Sequence, residues 1–407
     1  MTTATENDTK ISRLLRWEQG ETPGPWELTV LPTNRCNLTC KHCWLRAAEA
    51  TPDGVDLTQV PDERLMQLVE EAAALGVREW NFVGGGEPLL RGEIVMAMCQ
   101  RIRELGMNGI LHTNGTGITE KRMQTLIDIG WSTFVVSLDG PNAEINDAIR
   151  GEKCFERAQK NLLKLAALKR AAGTTLPTVN LNMVVTNTNF HAIPEMVELC
   201  RTWDIGAMNA SMLLEMNEDC HTFELNDAQR MELSEILDRA IALADQYGIR
   251  HNFVSLKPLK HTLDQGAKER KCGGADLNDS MCYESWLGMT IVPDGQCGPC
   301  CVSYDQQANN INHASLEEVW LGPYMTDVRQ RLKTRTNLMG YCAYCPSNLQ
   351  IKTEEYRADF VAAKSAPAKR SIGYLSSRFG AELRTRGLRR TLQRTWEWVQ
   401  IRSGMVS

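Results

Sequence analysis

No stretch of this 407-residue chain stays apolar for the ~18–20 residues that a membrane-crossing helix needs. The first residues, MTTATENDTK, are polar and lack the apolar segment of a secretory signal. Neither sign of charge dominates: 45 Lys and Arg stand against 50 Asp and Glu. A net charge of −5 argues against nucleic-acid binding by a general positive field. Aromatic residues are scarce, at 6%, and there is no internal repeat or low-complexity tract. The composition is that of a globular chain, neither fibrous nor disordered. These absences leave a cytoplasmic protein, long enough for two to three domains of roughly 150 residues each.

Cysteine is not scarce. There are fourteen, and a cytoplasmic chain of this size should carry no disulfide framework. Cys99, Cys154 and Cys200 stand singly in helix-like stretches and read as packed thiols. Cys220 is also single and has no assigned role. The others cluster in two groups: Cys36, Cys40 and Cys43, then Cys272, Cys282, Cys297, Cys300, Cys301, Cys342 and Cys345. Thiols at short spacings in a reducing compartment point to zinc or iron–sulfur ligation.

Between residues 27 and 250, strand-like runs alternate with helical patterns. The strand candidates are 26–32, 78–84, 108–114, 132–138, 178–184 and 206–214. Segments 65–75, 93–105 and 155–169 repeat apolar residues at three- and four-residue steps, and 226–248 closes the region as a helix. Six β–α units imply an α/β fold with a parallel sheet. Periodicity leaves a doubly wound open sheet and a partial barrel equally open. From about 251 to 359, Cys, Gly and Pro become dense, and one helical stretch remains at 315–332. This part reads as a small domain held by metal ligands rather than by a large apolar core. Residues 1–26 form an N-terminal extension. Residues 360–407 read as a linker, starting FVAAKSAPAK, followed by a helical tail.

Cys36, Cys40 and Cys43 follow the first strand as CxxxCxxC. Three thiolates leave one iron of a [4Fe–4S] cube open to a small molecule. A structural zinc would want a fourth ligand, and His42 is awkwardly placed beside Cys43. Gly84-Gly85-Gly86-Glu87-Pro88 ends the second strand, HTNGT (112–116) the third and VVSLDGP (135–141) the fourth, with INDAIRG (145–151) beyond. Glycines there let the backbone approach a ligand.

In these motifs the chain resembles the radical S-adenosylmethionine (SAM) enzymes, over roughly residues 27–250. The resemblance implies a partial (β/α)6 TIM-like barrel with the site at the carboxyl ends of the strands. It implies that Cys36, Cys40 and Cys43 hold a [4Fe–4S] cluster that binds SAM. His42 occupies the motif's usual aromatic position and would pack near the adenine. Gly84, Gly85, Gly86, Glu87 and Pro88 would hold the methionine amino group. Asn114 belongs to the same cofactor site, Ser137 would contact the ribose, and Arg150 the methionine carboxylate through its paired donors.

The second cysteine group resembles the twitch form of the SPASM domain, a small Cys-rich α+β unit that binds one auxiliary [4Fe–4S] cluster. WLGMTIVPDGQCGPC (286–300) reads as a hairpin with a Pro-Asp-Gly turn, and Cys342-Ala-Tyr-Cys345 follows. The natural ligands are Cys282, Cys300, Cys342 and Cys345, any of which Cys272, Cys297 or Cys301 could replace, with a four-cysteine zinc site as the alternative. Cys297 or Cys301 could instead return a hydrogen atom to a substrate radical, although a packed thiol is the plainer reading. Asp204, Glu215, Asp219 and the KTEEYR segment (352–357) offer acids and bases that read as solvated surface.

Residues 364–407 hold ten Lys or Arg and two Glu, with apolar residues at helical steps and Trp396 and Trp398 near the end. Such a basic amphipathic helix suits a membrane surface or an anionic partner, or docks on the acidic body of its own chain. The protein would then sit in the cytoplasm, peripheral to the inner face of the membrane.

The expected activity is reductive cleavage of SAM to a 5′-deoxyadenosyl radical, fed by a flavodoxin- or ferredoxin-type reductant. Hydrogen abstraction from a small polar substrate (a sugar or cyclitol) would follow, and then oxidation or epimerisation. Modification of a ribosomally made peptide is the alternative. A non-catalytic iron–sulfur or zinc sensor is the rival of another class.

Overall fold

The computed structural model describes residues 8–43, 45, 54–151, 153–213, 218–257, 277, 280–300, 309–340, 342, 345 and 347–365. The chain opens with helix α1 (Lys10–Glu18), whose start is fixed by a Thr9/Ser12 capping box. The repeating units follow: β1 (Glu27–Val30), α2 (Asp62–Ala74), β2 (Glu79–Phe82), α3 (Gly92–Glu104), β3 (Asn108–Thr113) and α4 (Glu120–Asp128). Then come β4 (Thr133–Ser137), α5 (Ala143–Arg150), α6 (Cys154–Ala171), β5 (Thr178–Val185), α7 (Ile193–Thr202), β6 (Ala207–Met212) and α8 (Asp227–Tyr247). Helix α8 starts on an Asn226/Gln229 capping box and ends at Gly248 in the left-handed conformation. The six expected strands and their helices are all present, with bounds within two residues of the periodicity at most ends.

The sheet goes further than six strands. β7 (Arg250–His251) extends it beyond β6. From the cysteine-rich region, β8 (Gly288–Ile291) pairs parallel to β1, with Leu28 opposite Met289. β9 (Cys297–Gly298) turns back antiparallel on β8, so the expected hairpin forms, with Gly295 at φ +92° in its turn. The order is β7-β6-β5-β4-β3-β2-β1-β8-β9, an open sheet whose parallel run β1 to β6 is the partial barrel. The auxiliary region is thus stitched to the barrel through main-chain hydrogen bonds.

Alternation along the strands decides which face packs. Leu28, Val30, Trp80, Phe82, Leu111, Phe134, Val136, Leu181, Met183 and Val185 are buried on the helix side. There they meet Leu65, Leu68 and Val69 of α2 and Val95, Met98 and Ile102 of α3. Each such side chain contributes about 1.5–3 kcal/mol by burial. The opposite face carries Glu27, Thr29, Asn81, His112, Ser137, Asn180, Asn182 and Asn209, all part-exposed. The sheet therefore has a dry outer side and a polar inner side.

Three expectations about the rest are corrected. The stretch 315–332 is two helices, α10 (Leu316–Leu321) and α11 (Pro323–Thr334), because Gly322 closes one and Pro323 opens the next. Residues 360–365 belong to helix α12 (Ser347–Ser365) rather than to a linker. The cysteine-rich part also has an apolar cluster of its own, built from Leu277, Tyr283, Trp286, Leu287, Val328, Leu332, Met339 and Phe360. Leu14 of α1 joins that cluster, and the short helix α9 (Glu284–Leu287) lies within it. Arg329 lies between Trp17 and Trp320, 4.7 and 4.2 Å from their ring centres, and donates to the Ser285 carbonyl at 2.8 Å. Helix α1 of the N-terminal extension therefore packs on the auxiliary body. The basic tail beyond residue 365 lies outside the described residues. No helix among the described residues is long and apolar enough to cross a membrane.

Candidate active site at the carboxyl ends of the strands

Loops leaving the ends of the parallel strands frame a cavity of about 320 Å³. Cys36, Cys40, His42 and Cys43 enter it from the loop after β1, and Gly84 to Pro88 from the turn after β2. Asn114, Ser137 and Arg150 reach it from β3, β4 and α5. The structure thus brings every residue expected around SAM to one place. His112, Val184, Ser211 and Met212, which the sequence reading gave no role, line it as well.

The glycine turn works first against protein. The Gly86 N–H donates to the Thr33 carbonyl and the Glu87 N–H to the Arg35 carbonyl, each at 2.8 Å. A Cβ on Gly86 would lie 2.0 Å from the Arg35 carbonyl oxygen, and one on Gly85 2.0 Å from Asn34 Oδ1. Only glycine lets the turn press so closely on the cysteine loop. Glu87, fully buried, accepts from the Leu89 N–H at 3.1 Å, the Thr113 hydroxyl at 2.7 Å and the Asn114 N–H at 2.7 Å. Burial pushes its carboxyl above the usual range, against those hydrogen bonds. Glu87 thereby ties the ends of β2 and β3 together. Asn114 donates onward to Asn37 Oδ1 at 2.8 Å, joining β3 to the cysteine loop.

Asp139, in the SLDG turn, is the functional residue the sequence reading passed over. It is completely buried, and its Oδ1 accepts from the Val184 N–H at 2.9 Å. Its Oδ2 lies 2.7 Å from Arg150 Nε and 3.7 Å from His42 Nε2. One carboxylate therefore orients both the arginine and the histidine of the cavity. Burial lowers the pKa of His42, and Asp139 opposes that shift. An ionisable side chain beside a glycine at the end of an apolar strand was the available signal.

Burial favours the protonated form of two thiols of this site, Cys36 and Cys40. Cys36 is raised, and Cys40 is pushed up to about 12, with its Sγ 3.7 Å from the Arg150 carbonyl oxygen. A metal cluster takes thiolates, so loading this loop releases protons. Three neighbouring thiols facing a cavity fit the donor set of a [4Fe–4S] cluster with one open iron.

In the second group, Cys282, Cys300, Cys342 and Cys345 are all part-exposed. Cys282 Sγ accepts from the Glu284 N–H at 3.3 Å. Burial is the main cause that pushes its thiol up, and Glu284, Cys300 and Cys345 add to the shift, which puts these thiols within electrostatic reach of one another. The Cys345 N–H turns back onto the Cys342 carbonyl at 3.4 Å. Four cysteines fit a fully ligated cluster. Among the described residues, no three His, Cys, Asp or Glu side chains converge as around a single ion. Cys297 is buried in the main core on β9 and does not line the cavity, which fits the plainer reading as a packed thiol rather than a hydrogen donor. Cys99, Cys154 and Cys200 are buried, as expected of isolated thiols. Cys272, Cys301 and Glu215 lie outside the described residues, as do the side chains of Asp219 and Cys220.

Comparison with known proteins agrees with this geometry. The family model of the radical SAM superfamily matches residues 30–200, and that of the SPASM iron–sulfur cluster-binding domain matches residues 282–346. The AdoMet-dependent heme synthase of Methanosarcina barkeri is 24% identical over 331 residues, covering 79% of this chain and 87% of that protein. The PqqA peptide cyclase of Rhizobium meliloti is 27% identical, covering 73% of each chain. Among solved structures, Streptococcus suis SuiB aligns at a TM-score of 0.59 with 18% identity, covering 78% of this chain and 71% of that one. That likeness concerns the fold alone.

Proposed function

We propose that this chain, an enzyme of the radical SAM superfamily with a SPASM iron–sulfur domain, modifies a ribosomally made peptide. The similarity to a peptide cyclase over 73% of the chain supports this reading over the oxidation of a sugar or cyclitol. When bound, the first cluster and SAM supply a carbon-centred radical that abstracts hydrogen from an unactivated C–H bond. The cluster needs an outside one-electron reductant, of flavodoxin or ferredoxin type in this proposal.

The chain's own residues prepare that step. Arg150 is the cation placed for a carboxylate in the cavity, and Asp139 fixes its position. Glu87 holds two strand ends at one spacing, which fixes the mouth of the cavity. Cys282, Cys300, Cys342 and Cys345 would hold an auxiliary cluster, which when bound could accept one electron from the substrate radical.

The heme synthase relative points to a tetrapyrrole as the second reading. A polycarboxylate substrate would want free cations on the inner face. Among the described residues, Lys10 is 3.0 Å from Glu79 and Lys352 is 2.9 Å from Glu284, and Arg150 is the cation assigned to the carboxylate of SAM. None of the three is left for a polycarboxylate, which favours the peptide.

The test is anaerobic incubation of the reconstituted enzyme with SAM, reductant and a short peptide encoded beside its gene. Loss of two hydrogens from the peptide, or another defined mass change, is the expected result. SAM cleavage that responds to a porphyrin and to no peptide would overturn the reading.

A further inference from the structure

The inner face of the sheet carries four asparagines in strand interiors: Asn81 on β2, Asn180 and Asn182 on β5, and Asn209 on β6. Asparagine is disfavoured there, because its side chain competes with the ladder and packs poorly. Their positions in the register are informative. Asn182 lies opposite Ser137 on one side and Asn209 on the other. Asn180 lies opposite Val135, which in turn lies opposite His112. Ser137 and His112 both line the SAM cavity, so the asparagines continue its wall along the same face at strand spacings of roughly 4.8 Å.

This wall is open. Ile110, on the same face of β3, remains 36% exposed despite its place in mid-sheet. It also has hydrogen-bonding capacity left over. The Asn209 Nδ2 donates to Asn182 Oδ1 at 3.3 Å. The Oδ1 atoms of Asn180 and Asn81 are shielded and have no partner among the described residues. An acceptor left so costs about 1–3 kcal/mol, which a bound ligand would recover.

We infer that Asn180, Asn182 and Asn209, with Asn81 three strands away on the same face, form a substrate subsite that hydrogen-bonds backbone amides of a peptide. A carboxamide offers a donor and an acceptor side by side and matches the C=O and N–H of an extended backbone. The subsite carries no net charge, as befits a neutral ligand. Lys10 and Lys352 are held by Glu79 and Glu284. This inference rests on the peptide reading and adds which atoms of the peptide are recognised.

The test uses a peptide with backbone and no side chains. Capped triglycine (N-acetyl-triglycine amide) is added to reconstituted, SAM-loaded enzyme, and its contact with protein is read by saturation-transfer NMR. Maltotriose serves as the neutral saccharide control. Wild type should show contact with triglycine. N180L/N182L, a change of similar volume, should show about fivefold less while binding SAM as wild type does. If the double variant fails to bind SAM, N180S gives the readout with a smaller change, and the same direction of loss is expected.

Triglycine contact that is absent, or unchanged in these variants, overturns the subsite. Stronger contact by maltotriose also overturns it and assigns the face to a saccharide. The two readings fail separately. A peptide that is modified equally well by N180L/N182L removes only the subsite. Asparagine-dependent contact with triglycine, without modification of any encoded peptide, keeps the amide subsite and removes the proposed function.

Discussion

Asp139 Oδ2 and Arg150 Nε meet at 2.7 Å, with the aspartate wholly buried and the arginine nearly so. The pair joins the end of β4 to the last turn of α5. Removing one partner of a buried pair leaves an uncompensated charge, which costs about 3–5 kcal/mol. Asp139→Asn should therefore lower the urea midpoint strongly. Asp139→Asn with Arg150→Met should recover part of that loss, because no lone charge remains buried. Additive losses in this double-mutant cycle would show that the two residues act independently.

The glycine turn makes a graded prediction. Gly86→Ala drives a methyl into the Arg35 main chain, whereas Gly85→Ala meets the end of the Asn34 side chain, which can rotate away. Gly86→Ala should lose the iron of the first site and keep that of the second. Gly85→Ala should keep both. The measurement is iron per chain after anaerobic reconstitution, and equal retention by the two variants would contradict the close packing described above.

His112 predicts a pH dependence of stability. Burial lowers its pKa from 6.5 to about 4, with Glu27 opposing. The unfolded imidazole takes a proton below about 6.5, while the folded one resists until about 4. The unfolded state thus binds more protons across that window, and stability falls as pH drops through it. His112→Gln should flatten this part of the urea-midpoint profile. A profile of unchanged slope would place the acid sensitivity elsewhere.

Cys297 should be dispensable for chemistry. Its thiol faces the Gly295 carbonyl at 3.4 Å inside the core. Cys297→Ala should retain both clusters and SAM cleavage, with a stability loss of about 1 kcal/mol from the small void. Loss of iron from the second site would make Cys297 a ligand.

Much of this was legible in the sequence because it is local. CxxxCxxC, GGGEP and the alternation in TVNLNMV each announce themselves within ten residues. What the sequence hid is tertiary. The pairing of β8 with β1 joins residues about 260 apart, and no short window records it. Asp139 looked like part of a turn, and its role exists only once α5 and the cysteine loop fold over it. Asn180 and Asn182 look like the polar phase of an amphipathic strand, and only the register shows that Asn182 lies beside Ser137 of the cavity wall. Two errors were avoidable. Gly322-Pro323 is a standard break between helices, and FVAAKS, before the first proline of the tail, has ordinary helix formers.

The central claim is that the two cysteine groups hold two separate four-iron clusters. Iron and acid-labile sulfide per chain, compared between wild type and Cys36/Cys40/Cys43→Ala after anaerobic reconstitution, test it most directly. The account predicts about eight irons falling to about four, with SAM binding lost and the remaining cluster intact. About four falling to near none would contradict it, since the second group would then hold no iron.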